Sequence, residues 1–280
     1  MSSYIQKNYV EGKVVVITGA SSGFGKLLAQ KVAGMGGISV MGARNEEALA
    51  AIAQEITAAG GRCCWRRTDV SKKEDVDALV AMAVKEYGRV DVLVNNAGAM
   101  PLAFYADHEK AMDKWVACID TNLKGTLFGI CAVYDQMMAQ GEGQIINIAS
   151  IYANYPVAGS AVYQATKIGV EYLSESLRQE TQGKIRVSCV KPTGVPATGL
   201  GGSVVNPQAA MSMMGMKAGE YISMSKELGQ RPELSDRESI SYLNCDPEVM
   251  VDNIVYLINQ PKGVNISDIT VRSSNERFML

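Results

Sequence analysis

"VVVITGASSGFGKLLAQKVAG", residues 14 to 34, decides the fold. Val14 to Ile17 form a β-branched apolar run that predicts a buried strand, and the text after Gly25 has helical periodicity. Between them the chain turns through Gly19, Gly23 and Gly25. A glycine turn lets backbone approach a ligand, and the following helix N-terminus offers free N–H groups and a positive dipole end to a pyrophosphate. Residues Gly19, Ser21, Ser22, Gly23, Phe24 and Gly25 are therefore the expected phosphate cradle. The spacing is GxxxGxG rather than GxGxxG, and a tight strand-to-helix turn without a ligand is the competing reading.

Outward from this turn, short β-branched runs alternate with longer amphipathic stretches, the pattern of a parallel sheet covered by helices on both faces. The fold class is α/β. Strands are expected at 13–18, 38–43, 62–67, 91–95, 143–150, 185–191 and 265–272, and helices at 24–34, 45–59, 72–86, 110–139, 161–181 and 246–259. Ser71, with Glu74 three residues on, reads as the cap of the third helix, and Gly88 as its stop.

The 280 residues are 47% hydrophobic, enough for one large domain over residues 1–280. Twenty-seven basic and 29 acidic residues give a formal charge of −2 with no basic run, which argues against a nucleic-acid partner. The opening residues show no apolar signal core, and no uninterrupted apolar stretch approaches the roughly 20 residues of a membrane span. A soluble, cytoplasmic protein without a membrane partner is expected. The six cysteines include no CxxC and read as small buried hydrophobes, and the single histidine, His108, sits in a polar stretch. Histidine-dependent triads and metal sites therefore have no support.

Residues 196–245 make a connection far longer than the usual 2 to 6 or so. A substrate lid is expected there, with Met211, Met213, Met214, Met216 and Met224 either as an adaptable apolar wall or as core-facing residues of short helices.

At the end of the second strand, where a carboxylate would bind the adenosine ribose of NAD, the chain reads "GARNEE". Ala43 supplies no carboxylate and Arg44 supplies a guanidinium, which favours NADP(H) over NAD(H). Arg44 stacked on adenine, or Glu46 or Glu47 turned back to the ribose, are the alternatives. Asp69, with Val70 closing the third strand, is placed for adenine, or is a turn residue.

"YQATK", residues 163 to 167, puts Tyr163 and Lys167 on one helix face. Together with "TGASSGFG", "NNAG" at 95–98, "TNLKGT" at 121–126 and "IINIAS" ending at Ser150, it resembles the classical short-chain dehydrogenase/reductase family, in order over residues 13–195. The resemblance implies a Rossmann-like, doubly wound, seven-stranded parallel sheet, a nicotinamide cofactor and a tetrad of Asn122, Ser150, Tyr163 and Lys167. It also implies cofactor contacts from Asn96, Ala97, Gly98, Tyr163, Lys167, Pro192 and Val195, a role for Asn122 in holding a water that links Lys167 to solvent, and a homotetramer or homodimer built on helices 110–139 and 161–181.

The chemistry agrees. Interconverting a carbonyl and a carbinol requires a proton at the oxygen, and a phenol with a reference pKa near 10 is a poor base at neutral pH. The Lys167 ammonium would favour the phenolate by charge. Ser150 would donate to the substrate oxygen, and Tyr155, with Tyr152 second, would face substrate. A cap role for Ser150, or packing roles for Asn122 and Tyr163, are the competing readings for each residue alone.

One segment departs from the family pattern. "KPTGVPATGL" has Thr193 where Pro-Gly is usual, and Thr198 stands one residue later than the usual threonine, at Ala197. The expected function is NADP(H)-dependent interconversion of a ketone and a secondary alcohol, with a bulky apolar substrate such as a steroid. An NAD-dependent alcohol dehydrogenase, and a catalytically silent nucleotide-sensing protein of the same fold, are the alternatives. A sugar-nucleotide epimerase would need a larger substrate domain.

Overall fold

The computed structural model describes residues 7–196 and 198–278. The first six residues, which belong to the stretch read for a signal, lie outside them, as do Ala197 and residues 279–280.

Seven strands form one parallel sheet in the order β3-β2-β1-β4-β5-β6-β7: β1 (Val14–Thr18), β2 (Ile38–Ala43), β3 (Arg62–Arg67), β4 (Val92–Asn95), β5 (Gly143–Ile148), β6 (Ile185–Pro192) and β7 (Asp268–Val271). Every strand pair is parallel. The central strands β1 and β4 are wholly buried, as apolar runs without alternation require. Edge strand β3 exposes Arg62, Arg66 and Arg67, charges that oppose pairing with another chain.

Helices cover both faces: α1 (Gly23–Gly34), α2 (Glu46–Ala58), α3 (Lys73–Tyr87), α4 (His108–Cys118), α5 (Gly125–Gln140), α6 (Ala161–Glu180) and, after two short helices α7 (Pro207–Met211) and α8 (Ala218–Glu227), α9 (Pro247–Ile258). One core packs α1, α2 and α9 on the sheet, and the other packs α3, α5 and α6 on its opposite side. Strand order reverses between β1 and β4, and a ligand crevice is expected at the carboxyl ends of those strands.

Two expectations change. The helix expected at 110–139 is two helices joined by a π-helical segment, Ile119–Lys124, with Asn122 inside it. One 18-residue window of the continuous run Tyr105–Gln140 is apolar enough to cross a membrane by length and composition, although charged residues interrupt the run. Its inner stripe, Thr126, Gly129, Ile130, Val133 and Met137, is instead buried in the protein. Ser71 does not cap α3: its hydroxyl and backbone N–H both donate to the Asp69 carboxylate (2.7 and 3.1 Å), and Lys72 takes the cap position without a side-chain bond. Gly88 does end that helix, in the left-handed conformation.

The connection from Val195 to Cys245 is not an open loop. It carries α7, α8 and single turns at Leu200–Ser203, Ser212–Lys217 and Pro232–Leu234. Met213 and Met214 are buried, Met211 and Met224 half-buried, and Met216 is 93% exposed, so the methionines do not form one wall.

Candidate active site

A cleft of about 940 Å³ lies at the carboxyl ends of the strands. Its floor begins where β1 runs out at Thr18. Gly19 and Gly23 have φ of +67° and +51°, values that L side chains rarely adopt. The turn is held from the β4 side. Asn96 donates its side-chain amide to the Thr18 and Gly19 carbonyls (2.9 and 3.3 Å), while the Thr18 hydroxyl accepts the backbone N–H groups of Asn96 and Ala97 (3.0 and 3.2 Å). The Asn96 side chain thus buttresses the turn, in addition to the cofactor contact expected of it. Ser22 precedes α1 without a side-chain cap bond, which leaves first-turn N–H groups for a ligand.

Gly19, Ser21, Ser22, Gly23 and Phe24 line the cleft. Gly25 does not; it is buried beneath the turn, where a Cβ would collide with the Gly19 carbonyl and the Asn96 amide. Its absent side chain serves close helix-to-strand packing. Uncapped helix donors, a glycine cradle and no carboxylate in the turn together fit a dinucleotide pyrophosphate.

Ala43, Arg44, Asn45, Thr68, Asp69 and Val70 line the next part of the cleft. Arg44 is exposed at its rim. Partial burial pushes the Asp69 carboxyl up, but the two Ser71 hydrogen bonds and then the Arg44 charge outweigh it and hold the pKa below the usual value. Glu46 and Glu47 are not in the lining; they occupy the first turn of α2, where carboxylates meet the positive helix end.

At the opposite end the structure brings Ser150, Tyr163 and Lys167 together with Ala97, Gly98, Pro192 and Val195. Ser150 follows β5, and its hydroxyl oxygen accepts the Tyr152 N–H at 3.3 Å, so it is also a turn cap. Tyr163 and Lys167 lie on the buried face of α6, 3% and 6% exposed. The Lys167 ammonium donates to the Ile148 carbonyl at 2.6 Å and lies 5.8 Å from the Tyr163 ring centre. The edge of one ring meets the face of the other in the pair Tyr152 and Tyr163, with centroids 5.5 Å apart.

Burial dominates the electrostatics. It lowers the Lys167 pKa from 10.5 to about 8 and drives the Tyr163 phenol well above its ordinary value, against which the Ser150 hydroxyl is the one opposing influence. The expected ammonium-stabilised phenolate is therefore not the state of the chain alone: Lys167 is bound to a carbonyl, and desolvation exceeds any charge attraction. Bound positive charge would be needed to reverse the balance.

Asn122 is bound on both sides. Its amide accepts the Ala99 N–H (2.8 Å) and donates to the Ala99 carbonyl and the Thr166 hydroxyl (2.9 and 3.1 Å). These bonds staple the loop after β4 to α6, so the side chain serves as a clamp. Its carbonyl accepts the Thr126 hydroxyl at 2.7 Å. The expected substrate residue Tyr155 is 58% exposed and outside the lining, because the Gln164 side chain holds its carbonyl and turns that loop away. Tyr152 takes the cleft position.

Sequence reasoning missed Met100, Leu102, Ser203, Tyr221, Asn244 and Phe278, which the fold brings to the same cleft. The Ser203 hydroxyl accepts the Met100 N–H at 2.8 Å, joining the long connection to the β4 loop. The Thr198 carbonyl rests against Gly23, where a Cβ would come within 2.8 Å of it. The displaced threonine was the signal available in the sequence; the other residues carry no motif.

The family model for short chain dehydrogenase matches residues 13–209. The chain belongs to this family. It is an oxidoreductase of the dehydrogenase/reductase type, which works with a nicotinamide cofactor. An uncharacterized oxidoreductase of Staphylococcus saprophyticus is 32% identical over 96% of this chain and 99% of its own length. Among solved structures, an alcohol dehydrogenase from the archaeon Thermococcus sibiricus, complexed with 5-hydroxy-NADP, superposes with a TM-score of 0.77 at 25% identity, covering 95% of this chain and 99% of that one. A metagenomic short-chain oxidoreductase in complex with NADP gives 0.72 at 30% identity over 94% and 98%.

Proposed function

We propose that this chain is an NADP(H)-dependent oxidoreductase interconverting an uncharged ketone and its secondary alcohol. The observation that carries the reading is the convergence of Ser150, Tyr163 and Lys167 in the cleft that also holds the glycine cradle. The cofactor, when bound, supplies or accepts a hydride at the carbonyl carbon.

Gly19, Ser21, Ser22, Gly23 and Phe24 would hold its phosphates; Arg44, Asp69 and Val70 its adenosine portion; Asn96, Ala97, Gly98, Pro192 and Val195 the rest, with Lys167 on the nicotinamide ribose. Tyr163 is the proton donor in reduction and the acceptor in oxidation. Its raised pKa keeps it protonated at neutral pH, which suits donation to a developing alkoxide. Ser150 donates to the same oxygen and stabilises its charge. Lys167 tunes the phenol and, with its pKa near 8, can exchange a proton near neutrality. Asn122 is the positioning residue that fixes the β4 loop against α6.

Among the described residues, the charged side chains lining the cleft are Arg44, Asp69 and Lys167, and its apolar lining includes Met100, Leu102, Tyr152 and Met214. An uncharged apolar body follows, and a steroid or other polycyclic ketone is the proposed class. The NADP(H) preference rests on Arg44 beside Ala43 and is in keeping with the NADP named for two structural relatives.

We read the whole chain as one catalytic domain with residues 196–245 as its substrate lid. Exposed Met112, Val116, Ile119 and Leu127 on the Tyr105–Gln140 run, with Ile168 and Tyr172 on α6, support assembly as a homodimer or homotetramer through those helices. Six free cysteines accord with a cytoplasmic setting.

Titrating NADPH and NADH by cofactor fluorescence into the protein and its Arg44→Ala variant tests the assignment. NADPH should bind more tightly, and the variant should lose about tenfold for NADPH alone, the scale of one charge-assisted bond. Equal loss for both cofactors would refute the phosphate role.

A further inference from the structure

The segment after β7 reaches back into the active-site cleft. Four hydrogen bonds fasten it to the end of the long connection: Ser273 hydroxyl to Leu243 carbonyl (2.6 Å), Ser274 hydroxyl to Ile240 carbonyl (2.7 Å), Asn275 amide to Ser241 carbonyl (3.0 Å) and Asn275 N–H to Tyr242 carbonyl (3.1 Å). Arg272 and Glu276 pair at 2.5 Å within it. This anchoring delivers Phe278 to the cleft lining, packed against the apolar cluster that contains Leu102, Tyr152, Tyr163 and Met213.

The departure at "PTG" matches the same feature. The Thr193 hydroxyl donates to the Val271 carbonyl at 3.0 Å, tying the end of β6 to the start of the segment. At Gly194 a Cβ would stand 3.0 Å from the tip of the Phe278 ring. A side chain there would push the ring away. Threonine followed by glycine, in place of a single glycine after the proline, thus both fastens the segment and makes room for its aromatic residue.

We propose that Phe278 is a specificity-determining residue, a wall that limits the size of the uncharged ring system admitted beside Tyr163. The inference deepens the ketone reductase reading and rests on it. The anchors set where the ring stands, so the limit belongs to the segment and the lid together. The ring packs on the apolar cluster of Leu102, Tyr152 and Met213, so its size bears on what fits beside Tyr163.

The test measures kcat/KM with NADPH for cyclohexanone, 1-tetralone and a steroid ketone, in the wild type, Phe278→Ala and Phe278→Trp, with NADPH affinity measured alongside. The alanine variant should raise the steroid-to-cyclohexanone ratio about tenfold or more, and the tryptophan variant should lower it, on the scale by which pocket size discriminates apolar groups. NADPH affinity should be the same in all three. Ratios within threefold across the three proteins overturn the proposal while leaving the reductase reading intact. If no ketone is turned over, binding of the same series to the cofactor-loaded proteins decides: a size order that shifts with residue 278 supports the wall and sinks the reductase reading, whereas no binding, or an order indifferent to residue 278, overturns the wall.

Discussion

Replacing Lys167 by methionine separates what this residue costs the fold from what it does in the reaction. Lys167 is 6% exposed, and burial lowers its pKa from 10.5 to about 8. A lowered lysine pKa means the unfolded chain binds the proton more tightly, so the folded state carries a penalty below pH 8 that fades as pH rises toward 10.5. At pH 7 the penalty is about 3 kcal/mol, and at pH 9.5 about 1 kcal/mol. Methionine removes it but orphans the Ile148 carbonyl, now bonded at 2.6 Å, at a cost of about 1 to 3 kcal/mol. The two nearly cancel at pH 7, and the variant should be as stable as the wild type or up to about 2 kcal/mol more so. The sharper expectation is the pH dependence. Between pH 7 and 9.5 the wild type should gain about 2 kcal/mol on the variant, because Tyr163 and every other titrating group is common to both. Urea unfolding followed by circular dichroism at fixed protein concentration reads this directly, and ketone reduction by the variant should be lost. A stability difference independent of pH would refute the buried-ammonium argument; full activity would refute the role of Lys167.

Tyr163→Phe should lower kcat by about 10² to 10⁴, the range of a lost general acid, with NADPH affinity held; retained turnover would refute its acid/base role, and biological activity retained without turnover would support the sensor reading. Asn122→Ala leaves the Ala99 N–H and carbonyl without partners and should destabilise the chain by about 2 to 4 kcal/mol in urea titrations. A loss of activity at unchanged stability would mean that Asn122 acts chemically and not as a clamp. Tyr155→Ala should leave kcat/KM for any ketone within twofold, since its side chain points to solvent; Tyr152→Ala should not.

The sheet was legible because its strands are local in their cause. Val14 to Ile17 and Val92 to Val94 are apolar without alternation, and only burial on both faces accommodates that. The glycine turn was legible for the same reason: left-handed backbone at Gly19 and Gly23 requires the residue type that stands there. Ser150, Tyr163 and Lys167 were visible as a spaced motif, since one helix turn sets the separation of the last two. Ser71 misled because two hydrogen bonds to Asp69, formed across a turn, outcompete a cap. Tyr155 misled because nothing in the sequence shows that Gln164 will hold its backbone away from the cleft.

What the motifs between residues 13 and 195 determined by themselves was the fold class, the family and the chemical cast of the site, because strand burial, turn conformation and helix spacing are properties of neighbours in sequence. Tertiary structure alone decided the charge state of that cast. Enclosure raises the phenol and lowers the ammonium, since desolvation depends on how many distant segments close over a group and not on its own neighbours. It likewise decided that Phe278, more than a hundred residues from Tyr163 in sequence, shares one cleft with it, a proximity written in hydrogen bonds between segments that no local pattern announces.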